Sequence, residues 1–245
     1  MFRNIKITIH YDGTSYHGWA SQPGMPTVQG MVQEAIYKLT GQNAKVNGSS
    51  RTDAGVHGLG QVANFIIDCP IPTENFQNAL NNLLPNDITI ANVCEVSESF
   101  DAISDTVEKR YDYLINTNLI RPVLARNQWH RPGNLDVDKM AVAAELLVGK
   151  HDFKSFASAA DQRESSVRTI TLCTVEQDGD IIKISVTADG FLYNMVRNIV
   201  GTLVEIGRGR WQSEYIQDIL DTKDRNAAGP IAPACGLCLM EIYYK

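Results

Sequence analysis

Residues 48–61 read Gly-Ser-Ser-Arg-Thr-Asp-Ala-Gly-Val-His-Gly-Leu-Gly-Gln and set a cation (Arg51), an acid (Asp53) and an imidazole (His57) among four glycines. Glycine tolerates positive φ and lets backbone approach a ligand closely. A stretch this short and this rich in reactive groups suits neither helix nor strand, so it reads as a loop built around Asp53. An exposed carboxylate there can act as nucleophile or base, and Arg51 with a second, distant cation would keep it ionised, because opposite charge favours the charged form. On local grounds a second account competes and is the commoner one: Asp53 as a turn residue bonding nearby backbone N–H groups. His57 reads as a hydrogen-bonder that packs the loop.

Two further groups invite the same weighing. Arg197 lies in Phe191-Leu192-Tyr193-Asn194-Met195-Val196-Arg197-Asn198-Ile199-Val200-Gly201. If that helix packs deeply, Arg197 needs a carboxylate partner, since an unpaired buried charge is costly. Otherwise Asn194, Arg197, Asn198 and Glu205 form one solvated stripe. Tyr111 and Tyr113 share a strand face, with Arg110 on the other. Aromatics beside basic residues can stack bases, and they also serve as ordinary cross-strand packing.

Other patterns fail on context. Gly58-Leu59-Gly60-Gln61-Val62-Ala63 has the spacing of a dinucleotide fingerprint, but a strand-like run follows it where a helix is required. Cys235 and Cys238 form a lone pair with no second pair at zinc spacing, so no metal site is expected. The histidines lack H-E-x-x-H spacing, and no G-x-S-x-G elbow occurs.

The elements that must position these residues follow from periodicity. Strands are expected near 4–10, 61–68, 88–96, 109–116, 168–176, 181–188 and 236–244. Helices are expected through Val28–Leu39, through Phe76–Leu84 with Thr73 as N-cap, and through Met140–Leu147 between Asp136 as cap and Gly149 as terminator. A fourth runs from Leu192 to Ile206 and a short fifth follows Ser213. Strands and helices mix without a regular βαβ rhythm, which points to α+β with antiparallel sheet. Lys6–Tyr16 also aligns without gaps on Lys183–Tyr193, with Lys, Ile, Asp, Gly and Tyr identical in register. Each copy reads as a strand ending in an Asp-Gly turn before a helix, so the chain looks duplicated.

The whole chain sets the outer bounds. Its 245 residues, 44% of them hydrophobic, suffice for one large domain or two small ones. No apolar run approaches the roughly 18 residues of a membrane-spanning helix. No signal peptide is visible, and a cytoplasmic protein is expected. Five scattered cysteines argue against a disulfide framework, and most read as small core residues. The net charge of −6 weighs against a polyanionic partner without excluding a local basic cleft.

At these residues the chain resembles the tRNA pseudouridine synthase A family over nearly its whole length. Tyr11-Asp12-Gly13-Thr14-Ser15-Tyr16-His17-Gly18-Trp19 is similar to the family's Y-D-G-x-x-Y-x-G-W opening. Arg51-Thr52-Asp53-Ala54-Gly55-Val56-His57 with Gly60-Gln61-Val62 resembles its signature loop, and Lys109-Arg110-Tyr111-Asp112-Tyr113 its R-Y-x-Y strand. His151–Phe156, Met195–Gly201 and Ala232–Leu237 fit later blocks in order. The resemblance implies isomerisation of uridines in the anticodon stem-loop of tRNA, with no cofactor, by a homodimer without membrane attachment. It implies two related α+β halves, 1–103 and 104–245. Their antiparallel sheets would join into one extended sheet, with helices on one side and an active cleft between the halves. By family pattern Asp53 is the catalytic carboxylate, Arg197 pairs with it, Tyr111 stacks on the target base and Arg51 contacts substrate. Ser50 stands where the family usually has Gly, and Phe100-Asp101-Ala102-Ile103 where it has F-H-A-R. These departures motivate an alternative: a divergent paralogue that mainly binds tRNA, or one with altered target uridines.

Overall fold

The computed structural model describes residues 2–245. The described chain resolves into two compact units, residues 2–107 with 238–245 and residues 108–237. The elements are β1 (Arg3–Tyr11), α1 (Val28–Thr40), β2 (Asn47–Gly48), β3 (His57–Ile67), α2 (Thr73–Asn81), β4 (Ile88–Val96), β5 (Thr106–Asn116), β6 (Trp129–His130), α3 (Val137–Glu145), β7 (Gly149–Asp152), β8 (Val167–Asp178), β9 (Ile181–Ala188), α4 (Met195–Gly207), α5 (Tyr215–Thr222) and β10 (Leu237–Tyr244). Mixed strands and helices make an α+β fold, as their irregular rhythm implies.

In the first unit β1 lies between β4 and β3, antiparallel to both. Ile5, Ile7, Ile9 and Tyr11 alternate onto one face, where they pack with Val28, Val32 and Ile36 of α1 and with Phe76 and Leu80 of α2. Period-2 burial in the strand and period-3.6 burial in the helices thus meet in one core. The C-terminal strand returns to this unit: β10 pairs in parallel with the start of β3, Cys238 opposite His57 and Leu239 opposite Gly58. Residues 104–107 and the returning 238–245 thus group with the first unit.

In the second unit the order is β5-β9-β8-β7, antiparallel throughout, with the two-residue β6 paired in parallel to β5. α3 packs on β8 and on α4. Every residue of α4 except Arg197 is buried, which makes it a core helix rather than an amphipathic surface helix.

Both copies of the internal repeat are a strand, an Asp-Gly turn and a helix: β1 leads through Asp12-Gly13 toward α1, and β9 through Asp189-Gly190 into α4. Two end signals act differently from expectation. α2 opens after Pro72, with Thr73 already its first residue. α3 ends at Glu145, and Gly149, at φ 118°, opens β7 instead of terminating the helix.

Among the described residues, no helix is long and apolar enough to cross a membrane. All five cysteines are free thiols; Cys69 and Cys173 are buried, and burial pushes the Cys173 thiol up to about 12.

Candidate active site

The loop between β2 and β3 carries Arg51 and Asp53, and the Tyr11–Trp19 segment braces it from below. Trp19 N donates to Thr52 O at 3.1 Å and Gly55 N to Tyr16 O at 3.3 Å. The Tyr11 hydroxyl and Thr52 Oγ1 lie 2.8 Å apart in a buried contact. Gly18, at φ 91°, lies so close that a Cβ there would sit 2.5 Å from Thr52 O. Gly13 N donates to Nδ1 of buried His57 at 3.1 Å. His57, the first residue of β3, thus packs the end of the loop and ties it to the turn after β1 by a hydrogen bond, as expected of it. Within the loop, Val56 N donates to Asp53 O at 3.1 Å, which closes a tight turn on the acid. Asp53 is half-buried and Arg51 exposed.

Ser50 fits without strain. It is buried, its N–H donates to Gln61 Oε1 at 3.1 Å, and its carbonyl accepts from Gln61 Nε2 at 2.6 Å. Its φ is not in the left-handed region, so no glycine is required there.

The segment 97–106 is fastened to the sheet of the same unit by two buried asparagines. Asn4 Nδ2 donates to the carbonyls of Ser97 and Phe100, both at 2.9 Å. Asn64 Oδ1 accepts from Ala102 N at 3.0 Å. Asp101 is employed within this segment: its Oδ1 accepts from Ile103 N and Ser104 N, each at 2.9 Å. The Ser104 and Ile103 amides hold its carboxyl below the usual carboxylate range. Its charge thus fixes a turn, while Ile103 stands 56% exposed. Lys6 Nζ lies 5.3 Å from the Phe100 ring and 5.7 Å from that of Tyr244, so a cation borders this turn.

The second unit holds Tyr111 and Arg197. Tyr111 is buried on β5 with its ring edge-on to Phe191, centroids 5.2 Å apart. Tyr113, two residues on, is wholly buried and donates to Pro233 O at 2.7 Å, so it is a core residue. Arg110, on the other face, pairs with both carboxylate oxygens of Asp112 at 3.0 Å. Arg197 opens toward the same 232–233 turn: its Nε donates to Ala232 O at 2.8 Å, and its carbonyl accepts from Ala232 N at 3.1 Å. The solvated-stripe account of this helix fails. Asn198 is buried and donates to Phe156 O at 2.7 Å, and buried Glu205 is bridged by Arg208 and Arg210.

Two residues here lacked a sequence signal. Phe191 reads as one more apolar residue of a turn, yet it braces Tyr111. Lys109, on the Tyr111 face of β5, is lowered to about 8 by burial and by the charge of Arg163. Among the described residues, no group of three His, Cys, Asp or Glu side chains could hold a metal ion.

Comparison with known proteins adds an independent line. The family model described as tRNA pseudouridine synthase matches residues 7–103 and 143–245. The chain is 50% identical over 243 residues to tRNA pseudouridine synthase A 2 of Clostridium perfringens, covering 99% of this chain and 100% of that protein. It is 46% identical, with the same coverage, to tRNA pseudouridine synthase A of Caldicellulosiruptor saccharolyticus and of Acetivibrio thermocellus.

Proposed function

The chain belongs to the tRNA pseudouridine synthase family, and from that premise we propose that it isomerises uridine to pseudouridine in the anticodon stem-loop of tRNA with Asp53 as the catalytic carboxylate. The observation that carries this reading is the Arg51–His57 loop, which pins Asp53 in a braced turn while leaving its side chain only half-buried. Bonds from the Tyr11–Trp19 segment and the Val56–Asp53 bond within the loop hold this backbone in place around the acid.

The reaction breaks N1–C1′, turns the uracil and forms C5–C1′; C5 loses a proton and N1 gains one, so atoms and electrons balance. A carboxylate serves this by attacking C1′, by adding to C6, or by removing a ribose proton toward a glycal. No step is redox, and the chemistry calls for no cofactor. In this reading Arg197 pairs with Asp53, as the family pattern implies, and a paired guanidinium would keep the carboxylate ionised. Tyr111 holds the detached base by stacking, and Arg51 contacts the RNA backbone. The target nucleotide must leave its stack to be reached. The protein works in the cytoplasm as a homodimer.

RNA carrying tritium at uridine C5 tests the reaction, since conversion must release the label. Release from tRNA by the wild type and none by Asp53→Asn is the expected result. No release by the wild type from any tRNA sinks the reading. Sedimentation of the purified protein checks the dimer.

A further inference from the structure

We infer that Asn194 is a positioning residue that orients the guanidinium of Arg197 for the reaction. The inference rests on the role proposed above for Arg197.

Asn194 precedes α4 and has φ 62° and ψ 9°, in the left-handed region. Among the described residues only Asn194 and Lys223 occupy that region without being glycine. Asparagine tolerates it better than other side chains do, and such outliers persist where the surroundings enforce them. The ordinary task for an asparagine at this place is to cap the helix by accepting from the N–H three residues on. Asn194 does not do that: its side chain makes no capping bond to α4. Its Oδ1 accepts from Arg197 Nη1 at 3.2 Å instead. The left-handed backbone thus turns the amide away from the helix end and onto the arginine.

The surroundings enforce this arrangement. Tyr193 N donates to Asp161 Oδ2 at 2.5 Å, and Ser158 N donates to Tyr193 O at 2.9 Å, so the 158–161 loop grips the residue before Asn194 by both backbone groups. Asn198 N takes the Asn194 carbonyl at 3.0 Å. On the far side, Arg197 Nε is held by Ala232 O at 2.8 Å. Two oxygens, one from each side, define the plane of the guanidinium and the direction of its remaining N–H groups. A planar fork pairs well with a carboxylate only when that plane is correct.

Asn194→Gly tests this cleanly, because glycine adopts the left-handed backbone freely and removes only the amide. Asn194→Asp keeps both the backbone and an acceptor oxygen. Expected for Asn194→Gly is a roughly tenfold lower kcat, with KM within about twofold and Tm nearly unchanged. The acid limb of its pH–rate profile should move to higher pH, since a misaimed Arg197 lowers the Asp53 pKa less. Asn194→Asp should recover kcat to within about threefold of wild type. Full kcat and an unmoved acid limb in Asn194→Gly, with Arg197→Met inactive, overturns the positioning role alone. Equal losses of kcat and Tm in Asn194→Gly and Asn194→Asp also overturn it, by marking the residue as structural. An active Arg197→Met overturns the reading of Arg197 and the inference with it.

Discussion

The backbone N–H of Gly13 donates to Nδ1 of His57 across 3.1 Å, and a Cβ on Gly13 would lie 1.9 Å from the carbonyl oxygen of Val56. The turn after β1 is therefore pressed against the last residues of the Asp53 loop with no room between them. Gly13→Ala must displace backbone, because the clashing atom is a carbonyl. Such overpacking costs about 1–3 kcal/mol. The displaced segment ends three residues from Asp53, so tritium release should fall by at least tenfold, more than the Tm change alone would cause. A folded Gly13→Ala with normal turnover would show that the loop tolerates the shift.

Tyr11 and Thr52 offer a milder perturbation of the same bracing. Tyr11→Phe keeps the ring in the core and removes one buried hydroxyl contact at 2.8 Å. The expected loss is about 1 kcal/mol in unfolding free energy, read by denaturant titration. Thr52→Val removes the other partner. The double variant should cost less than the sum of the two singles, since the shared bond can be lost only once. Strict additivity would mean that the two hydroxyls do not depend on each other.

What could be read in advance divides along physical lines. β4 and β9 match their expected ranges, 88–96 and 181–188, because long β-branched runs leave little choice. β2, β6 and β7 carry two to four residues each, too few for any period to show, and they exist through their partners in β3, β5 and β8. The parallel seat of β10 beside β3 is a long-range pairing with no local signal. Arg197 was visible as a charge in an apolar helix, but its depth depended on α4 being buried all round. The role of Asp101 was hidden for the opposite reason: one residue type serves as a surface charge or as a turn cap, and only the positions of two amide hydrogens decide.

The exposed Ile103 makes a direct prediction about RNA affinity. Asp101 is engaged in its turn and Ile103 stands in solvent, so Ile103→Arg adds a cation without disturbing any buried contact. Thermal stability should stay within about 0.5 kcal/mol, as for most surface substitutions. If the family's F-H-A-R arginine contacts the RNA backbone, the variant should bind tRNA more tightly at low salt. The slope of log K against log salt should then steepen by about one. Equal affinity and an equal slope would place the turn away from the RNA.

Lys109 makes stability depend on pH in a defined direction. Burial lowers its amine from 10.5 to about 8, and the charge of Arg163 adds to the effect. Between those values the unfolded chain binds a proton that the folded chain does not. Stability must therefore rise with pH from about 8 to 10.5 on account of this group, and stay level below and above that window. The lowering corresponds to a rise on the order of 3 kcal/mol at most. Other groups titrate in the same range, so the comparison is wild type against Lys109→Met, by urea unfolding at a series of pH values. The variant lacks the titrating amine and is expected to be the more stable protein near neutral pH, with its advantage shrinking toward pH 10.5. A stability difference between the two proteins that stays constant across the window would mean that the amine keeps an ordinary pKa in the fold.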